Sequence, residues 1–183
     1  KALLKDAGFG PGNPCRVKFL ISTAGSGQMQ PLPMNEFIQE NLKDVGFEVT
    51  LDAMDWEALR ARRRGGVEMP ENKGADGLNN SWSFTDPDIG LIGTAWSRMR
   101  PPSGYNWGGF CDAETDAIAA RAKVEFDATA QDALLARLHA RIVDHSMWLW
   151  VVHDLNPRAL GPKVQGYVEA QSWFQDLTPV RVG

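Results

Sequence analysis

The chain has 183 residues, 43% of them hydrophobic, and a formal net charge of −4. That is enough chain to bury a core, and no apolar run approaches the roughly 18 residues that a membrane-spanning helix needs. The acidic balance argues against a nucleic-acid partner. Arg60-Ala-Arg-Arg-Arg64 forms the only basic cluster; it falls at the end of a predicted helix, where it complements the helix dipole and reads as solvated.

In chain order, residues 1–8 read as the end of a helix, stopped by Gly8 and the turn cluster of residues 10–14. Residues 16–22 read as a strand with an apolar end suited to a sheet centre. The next helix, over about 32–44, carries Met34, Phe37, Ile38 and Leu42 along one broad apolar face, and Gly46 ends it. Residues 47–52 alternate as a half-buried strand. Asp55 then caps a short helix whose Trp56 and Leu59 face the core, closed by Gly65 and Gly66. A polar loop over 67–75 leads to a strand predicted over 76–82. Alternating strands and helices with short links imply parallel pairing through crossovers, so the fold class is α/β.

The stretch Gly77-Leu-Asn-Asn-Ser-Trp-Ser-Phe-Thr-Asp-Pro-Asp88 reads as that strand ending on Trp82 and breaking into a new helix. Asp86 is placed to accept from free backbone N–H groups of the next turn, and Pro87 sits at the first helical position. Such a corner, with an aromatic and backbone donors, is a natural wall for a ligand. Downstream come the loop from Ser103 to Asp112, a helix capped by Asp112, and a longer helix with Leu135, Leu138 and Ile142 on one face. Met147-Trp-Leu-Trp-Val-Val-His153 reads as a buried strand, and beyond Asn156-Pro157 the segments are short and broken by Gly and Pro.

That collinear set resembles the C-terminal part of the family 5 solute-binding proteins of ABC importers, which serve dipeptides, oligopeptides, opines, glutathione and nickel. The resemblance spans essentially the whole chain. It implies a periplasmic protein of two lobes around a cleft, partnered by membrane permease subunits and a small peptide-like or other polar solute, with no cofactor. It further implies that residues 1–154 form most of the second lobe, with a parallel or mixed sheet flanked by helices. Residues 155–183 would cross the hinge and finish in the first lobe. Starting at Lys1 without a secretory signal, the chain reads as a fragment. Its tail is then expected to be poorly ordered, packed in a non-native way, or paired with another copy.

In peptide-binding relatives a tryptophan at the end of this strand is followed by an aspartate that pairs with the peptide α-amino group. Trp82 matches the tryptophan, but Phe84 or Thr85 falls where the acid belongs, and Asp86 matches a helix cap instead. The departure favours a modified peptide, a sugar-like compound or another polar solute over a dipeptide held by its amine. The expected wall is Trp82 for stacking, Ser83, Thr85 and Asp86 for polar contacts and Phe84 for apolar contact, with Tyr105, Asn106 and Trp107 as a second patch.

Catalysis and metal binding find little support. The three histidines are scattered, and His139 and His145 lie about 120° apart on a helix, so they make no i, i+4 metal pair. His153-Asp154 could orient a serine, but no Gly-x-Ser-x-Gly turn is present. Gly25-Ser-Gly27 follows a strand without the lysine and serine of a phosphate loop. Neither an enzyme nor a protein-held metal is expected; a hydrolase or a general interaction domain is the alternative class. Cys15 and Cys111 are either a disulfide or two small thiols.

Overall fold

A computed structural model describes residues 1–25, 30–84, 86–153, 157–170 and 174–183. Its centre is a three-stranded parallel sheet in the order β2-β1-β3, built from β1 (Cys15–Ser22), β2 (Phe47–Met54) and β3 (Gly77–Leu78). The ladder between β1 and β2 is in register along its length, from Cys15 opposite Phe47 to Ser22 opposite Met54. β1 therefore lies between two neighbours, and its C-terminal half, Leu20 to Ser22, is fully buried. β2, at the sheet edge, shows the half-buried alternation that its sequence predicts.

Before β1 runs the short helix α1 (Ala2–Asp6), after which Gly8 takes a positive φ. Helix α2 (Pro31–Val45) links β1 to β2 and ends on Gly46 in the left-handed conformation. Its buried residues are Pro31 and Asn35, while Phe37 is 71% exposed, contrary to expectation. The reason is helical phase: Phe37 lies about 200° around the helix from Asn35. Asn35 is tolerated in the interior because its amide donates to Pro31 O at 2.7 Å and accepts from Asn79 Nδ2 at 2.6 Å. Helix α3 (Trp56–Gly65) starts as the sequence predicts, with the Asp55 carboxylate accepting from Ala58 N at 3.0 Å, and it buries Leu59 completely.

The strand predicted over 76–82 is much shorter. On either side of Gly77–Leu78, Asp76 N and Asn79 N continue the bonding to β1, at Lys18 O and Leu20 O. Past that point the side chains of Asn79 and Asn80 engage Asn35 and Arg63 instead.

The second half is helical. The Asp86 carboxylate accepts from Ile89 N at 2.9 Å, so the cap predicted at Asp-Pro forms, and a wide helical turn (Asp88–Ile92) runs into α4 (Gly93–Ala95). Helices α5 (Ala113–Ala122) and α6 (Ala128–Asp144) then pack together, and a single apolar cluster joins Ile92, Ala95, Ile118, Ala119, Ala122, Leu134, Leu135, Leu138 and Ile142. Leu135, Leu138 and Ile142 thus occupy the buried face that their spacing predicts.

The buried strand predicted over 147–153 does not form: Leu149, Trp150, Val151 and Val152 are exposed and no ladder engages them among the described residues. A strand needs a partner edge, and on one side the sheet ends at β3, which is two residues long. In the tail, β4 (Val164–Gln165) pairs antiparallel with β5 (Arg181–Val182), so the described part of the tail pairs with itself. Cys15 and Cys111 are free thiols. No helix of the described residues is long and apolar enough to cross a membrane.

Candidate functional site

The two patches expected from sequence meet in space. Trp82, on the segment leaving β3, packs with its ring centre 4.9 Å from that of Tyr105 and 5.0 Å from that of Trp107. Tyr105 and Trp107 are 6.0 Å apart, nearly perpendicular. The loop that presents them is anchored on every side: Tyr105 N donates to Gly93 O, Asn106 N to Met99 O, and Val67 N to Trp107 O. Gly66 permits that last approach. It has φ +62°, and a Cβ there would lie 3.0 Å from the Pro101 ring and 3.2 Å from Trp107 O.

Asn106, expected on the wall, is fully buried. Its Nδ2 donates to Trp96 O and Phe110 O, and its Oδ1 accepts from Phe110 N at 2.9 Å. With its amide committed to the backbone on both sides, it braces the loop from within. Phe84 covers Gly90 and keeps its ring 6.1 Å from that of Trp82. Ser83 is half-buried beside it, Asp86 is the exposed helix cap, and Thr85 lies outside the described residues.

Sequence reasoning missed Arg63. It treated the basic cluster as uniformly solvated, whereas the structure divides it. Arg60 pairs with Glu57 at 2.8 Å, and Arg62 donates to Asn72 Oδ1 and to Glu71 O. Arg63 points inward, with its guanidinium carbon 4.5 Å from the ring centre of Trp107 and 5.2 Å from those of Trp56 and Trp82. The signal was available: Arg63 follows Trp56 by seven residues and Leu59 by four, so all three share the inward face of α3. Its Nη1 donates to Asn80 Oδ1 at 2.9 Å. Desolvation, and then the nearby positive charges of Arg60 and Arg64, lower its pKa, with Tyr105 acting in the opposite sense. An arginine starts so high that it stays charged.

This cluster opens on a cleft of about 900 Å³. Arg63, Tyr105, Trp107 and Phe110 line one part of it, Gly77 to Asn80 another, and residues 146–149 with Val151 face them. Trp82 stands behind Tyr105 and Trp107 rather than on the cleft surface, and fixes the tilt of both rings. A second recess, about 300 Å³ between Asp88 and Lys123, holds a closed ion pair at 2.6 Å.

Among the described residues no catalytic constellation assembles around the histidines; Asp154, the partner considered for His153, lies outside them. His139 lies beside Trp150, while His145 contacts the Phe110 ring and Arg141, and His153 is exposed. Among the described residues no group of three His, Cys, Asp or Glu side chains could hold a metal ion. The aromatic, hydrogen-bonding and cationic groups around the cleft are equipped for recognition.

Residues 1–116 match the model of the bacterial extracellular solute-binding proteins, family 5. The chain belongs to that family. It is 27% identical, over 187 aligned residues, to the di/tripeptide-binding protein 2 of Pseudomonas aeruginosa, covering 100% of this chain and 33% of that protein. Its fold matches the structure of HbpA2 from Haemophilus parasuis with a TM-score of 0.74 at 24% identity, covering 100% of this chain and 34% of that one. It also matches the dipeptide-binding protein of Pseudoalteromonas sp. SM9913, solved with Met-Leu, with a TM-score of 0.75 at 17% identity and the same coverage. The chain therefore spans about a third of the length of these relatives. Its α/β architecture, a parallel sheet flanked by helices, is part of a periplasmic binding-protein fold.

Proposed function

We propose that this family 5 chain supplies one wall of the solute cleft of an extracytoplasmic receptor that serves an ABC importer. The solute is a small peptide-like or other polar compound, and the receptor delivers it to permease subunits in the membrane. The observation that carries the reading is the pair Tyr105 and Trp107 on the cleft surface, backed by the Trp82 ring and presented by a loop braced by buried Asn106. We propose Ser83, Phe84, Thr85 and Asp86, on the corner after Trp82, as further solute contacts; Ser83, Phe84 and Asp86 are not on the cleft surface described above, and Thr85 lies outside the described residues. Residues 1–154 form the lobe that bears it, and residues 155–183 return across a hinge to the other lobe. The named function of the Pseudomonas relative, di- and tripeptide binding, supports a peptide-like solute. The periplasm is the compartment in which such a receptor works.

A receptor of this kind gains affinity by closing two walls on its solute, so that each desolvates it. Titration calorimetry of the natural full-length protein with di- and tripeptides tests the reading. We expect binding in the full-length protein, much weaker binding in residues 1–183 alone, and a loss of about 2 kcal/mol, roughly thirtyfold in Kd, for Trp82→Ala. Unchanged affinity in Trp82→Ala removes that residue from the site. Equal affinity of the 183-residue chain and the full-length protein sinks the two-wall mechanism.

A further inference from the structure

One histidine stands where two parts of the cleft lining meet. Helix α6 stops at His145: Ser146 N donates to Val143 O at 2.9 Å, Met147 N donates to Ile142 O at 3.2 Å, and Ser146 takes the left-handed conformation at φ +50°. Residues 146–149, which follow at once, line the cleft. Phe110 lines it too, and its ring meets the His145 ring edge-on with 5.3 Å between centres. Asn106 fixes the Phe110 backbone at both its N–H and its carbonyl, so the loop that carries Tyr105 and Trp107 shares this anchor.

Arg141 sets the chemistry of the imidazole. Its Nη2 lies 3.1 Å from His145 Nε2 and 2.6 Å from Asp112 Oδ2. An arginine only donates, so Nη2 gives one hydrogen to each acceptor, and Nε2 of His145 carries no proton. The other charged groups nearby are Glu114, 2.7 Å from Arg141 Nη1, and Arg137, which reaches Glu114 at 3.9 Å; Cys111, next to Asp112 in the chain, is an exposed free thiol. Asp112 is held ionised far into acid, by the Thr115 hydroxyl first, then the Thr115 N–H and Arg141. The carboxylate and the guanidinium therefore keep their charges across the mildly acidic range in which a histidine ordinarily gains its proton. A proton on Nε2 sets donor against donor and adds a positive charge beside Arg141. The nearest acceptor is then Asp112 Oδ2, 4.0 Å away and beyond hydrogen-bond reach. The ring has to turn to meet it, and turning changes its contact with Phe110.

We propose that His145 is a positioning residue of the solute cleft: neutral, it holds Phe110 and the 146–149 segment in the solute-binding arrangement, and its protonation at mildly acidic pH releases them and weakens binding. This rests on the solute-binding reading above and adds a pH dependence to the same cleft. The neutral form is the binding form, so affinity is full above the histidine range and falls as pH drops through it.

The test is calorimetry of the natural full-length protein with dialanine and trialanine at about pH 7 and about pH 5.5, a window in which both peptide termini stay charged. Affinity should fall about three- to tenfold toward the acid side. His145→Gln keeps an acceptor for Arg141 and takes no proton, so it should bind alike at both pH values, near the neutral affinity of the unaltered protein. His145→Lys, with a fixed charge, should bind weakly at both. Without solute, nuclear magnetic resonance of the protein labelled at tryptophan and histidine should show the Trp148 signal titrating with the midpoint of the His145 ring and staying flat in His145→Gln. Equal affinity at both pH values in the unaltered protein, or a fall that survives in His145→Gln, overturns the proposal and leaves the solute-binding reading intact. So does a Trp148 signal that ignores the titration of His145. Binding of neither peptide at either pH overturns the peptide-like reading and the pH dependence of peptide binding together.

Discussion

Two stretches of this chain are alike on paper and behave differently in space. β1 carries Val17, Phe19, Leu20 and Ile21; residues 147–152 carry Met147, Trp148, Leu149, Trp150, Val151 and Val152, and are the more apolar of the two. Yet Leu20 and Ile21 are 2% and 0% exposed, while Leu149 and Val152 are each 66% exposed. The difference lies in the neighbours. β1 is paired on both sides, with β2 in full register and with β3 at its buried end. Residues 147–149 and Val151 line the cleft that Gly77 to Asn80 also line, and no ladder engages the 147–152 segment among the described residues. Hydrophobicity creates a demand for burial; the supply of a partner edge is a separate matter, set by the rest of the fold.

The largest expected contrast is in amide exchange. In the 183-residue chain, the amides of 17–21 should exchange several orders of magnitude more slowly than those of 149–152, because opening β1 requires global unfolding. Equal protection would break the comparison by revealing a partner for the later segment. Protection of 149–152 in the natural full-length protein alone would sharpen it, by locating that partner in the rest of the protein.

Truncation should follow the same order with a smaller effect. Ile21→Ala should destabilise the chain by about 2–5 kcal/mol in denaturant titration, whereas Leu149→Ala should stay within about 0.5 kcal/mol. A comparable loss at both positions would show that the exposed segment is structural after all.

The smallest effect tests how the helical half is tied down. Asp112 caps α5, and its pKa is depressed well below the usual carboxylate range. The causes are the Thr115 hydroxyl first, then the Thr115 N–H, then Arg141, whose Nη2 lies 2.6 Å away. A carboxylate with a lowered folded pKa adds stability above its unfolded value near 4 and loses it as pH falls toward the folded value. The melting-temperature difference between the natural chain and Asp112→Asn should therefore be present at neutral pH and shrink below about pH 4. A difference that persists unchanged into acid would contradict this account.

Much of the fold was legible because its signals are local. Asp55, Asp86 and Asp112 each cap the turn that follows them, and Gly8, Gly46 and Gly66 take the positive φ angles that end helices or turn the chain. The spacing of Leu135, Leu138 and Ile142 identified the buried face of α6. For the candidate site, the sequence pointed to Trp82, Tyr105 and Trp107, and the structure brings them together. It could not separate Asn106, an interior brace, from the aromatic residues on either side. Nor did it separate Arg63 from the arginines around it, although helical phase from Trp56 held the clue.

The sequence by itself determined where elements begin and end, and that strands alternating with helices would pair in parallel. These depend on backbone donors, on φ preferences and on periodicity within a few residues. Only the tertiary structure decided that Phe37 faces outward, that β3 stops after two residues, and that 147–152 finds no ladder among the described residues. It also decided that an arginine lies among Trp56, Trp82 and Trp107. Burial and pairing are properties of two surfaces at once, and the second surface comes from residues far away in the chain.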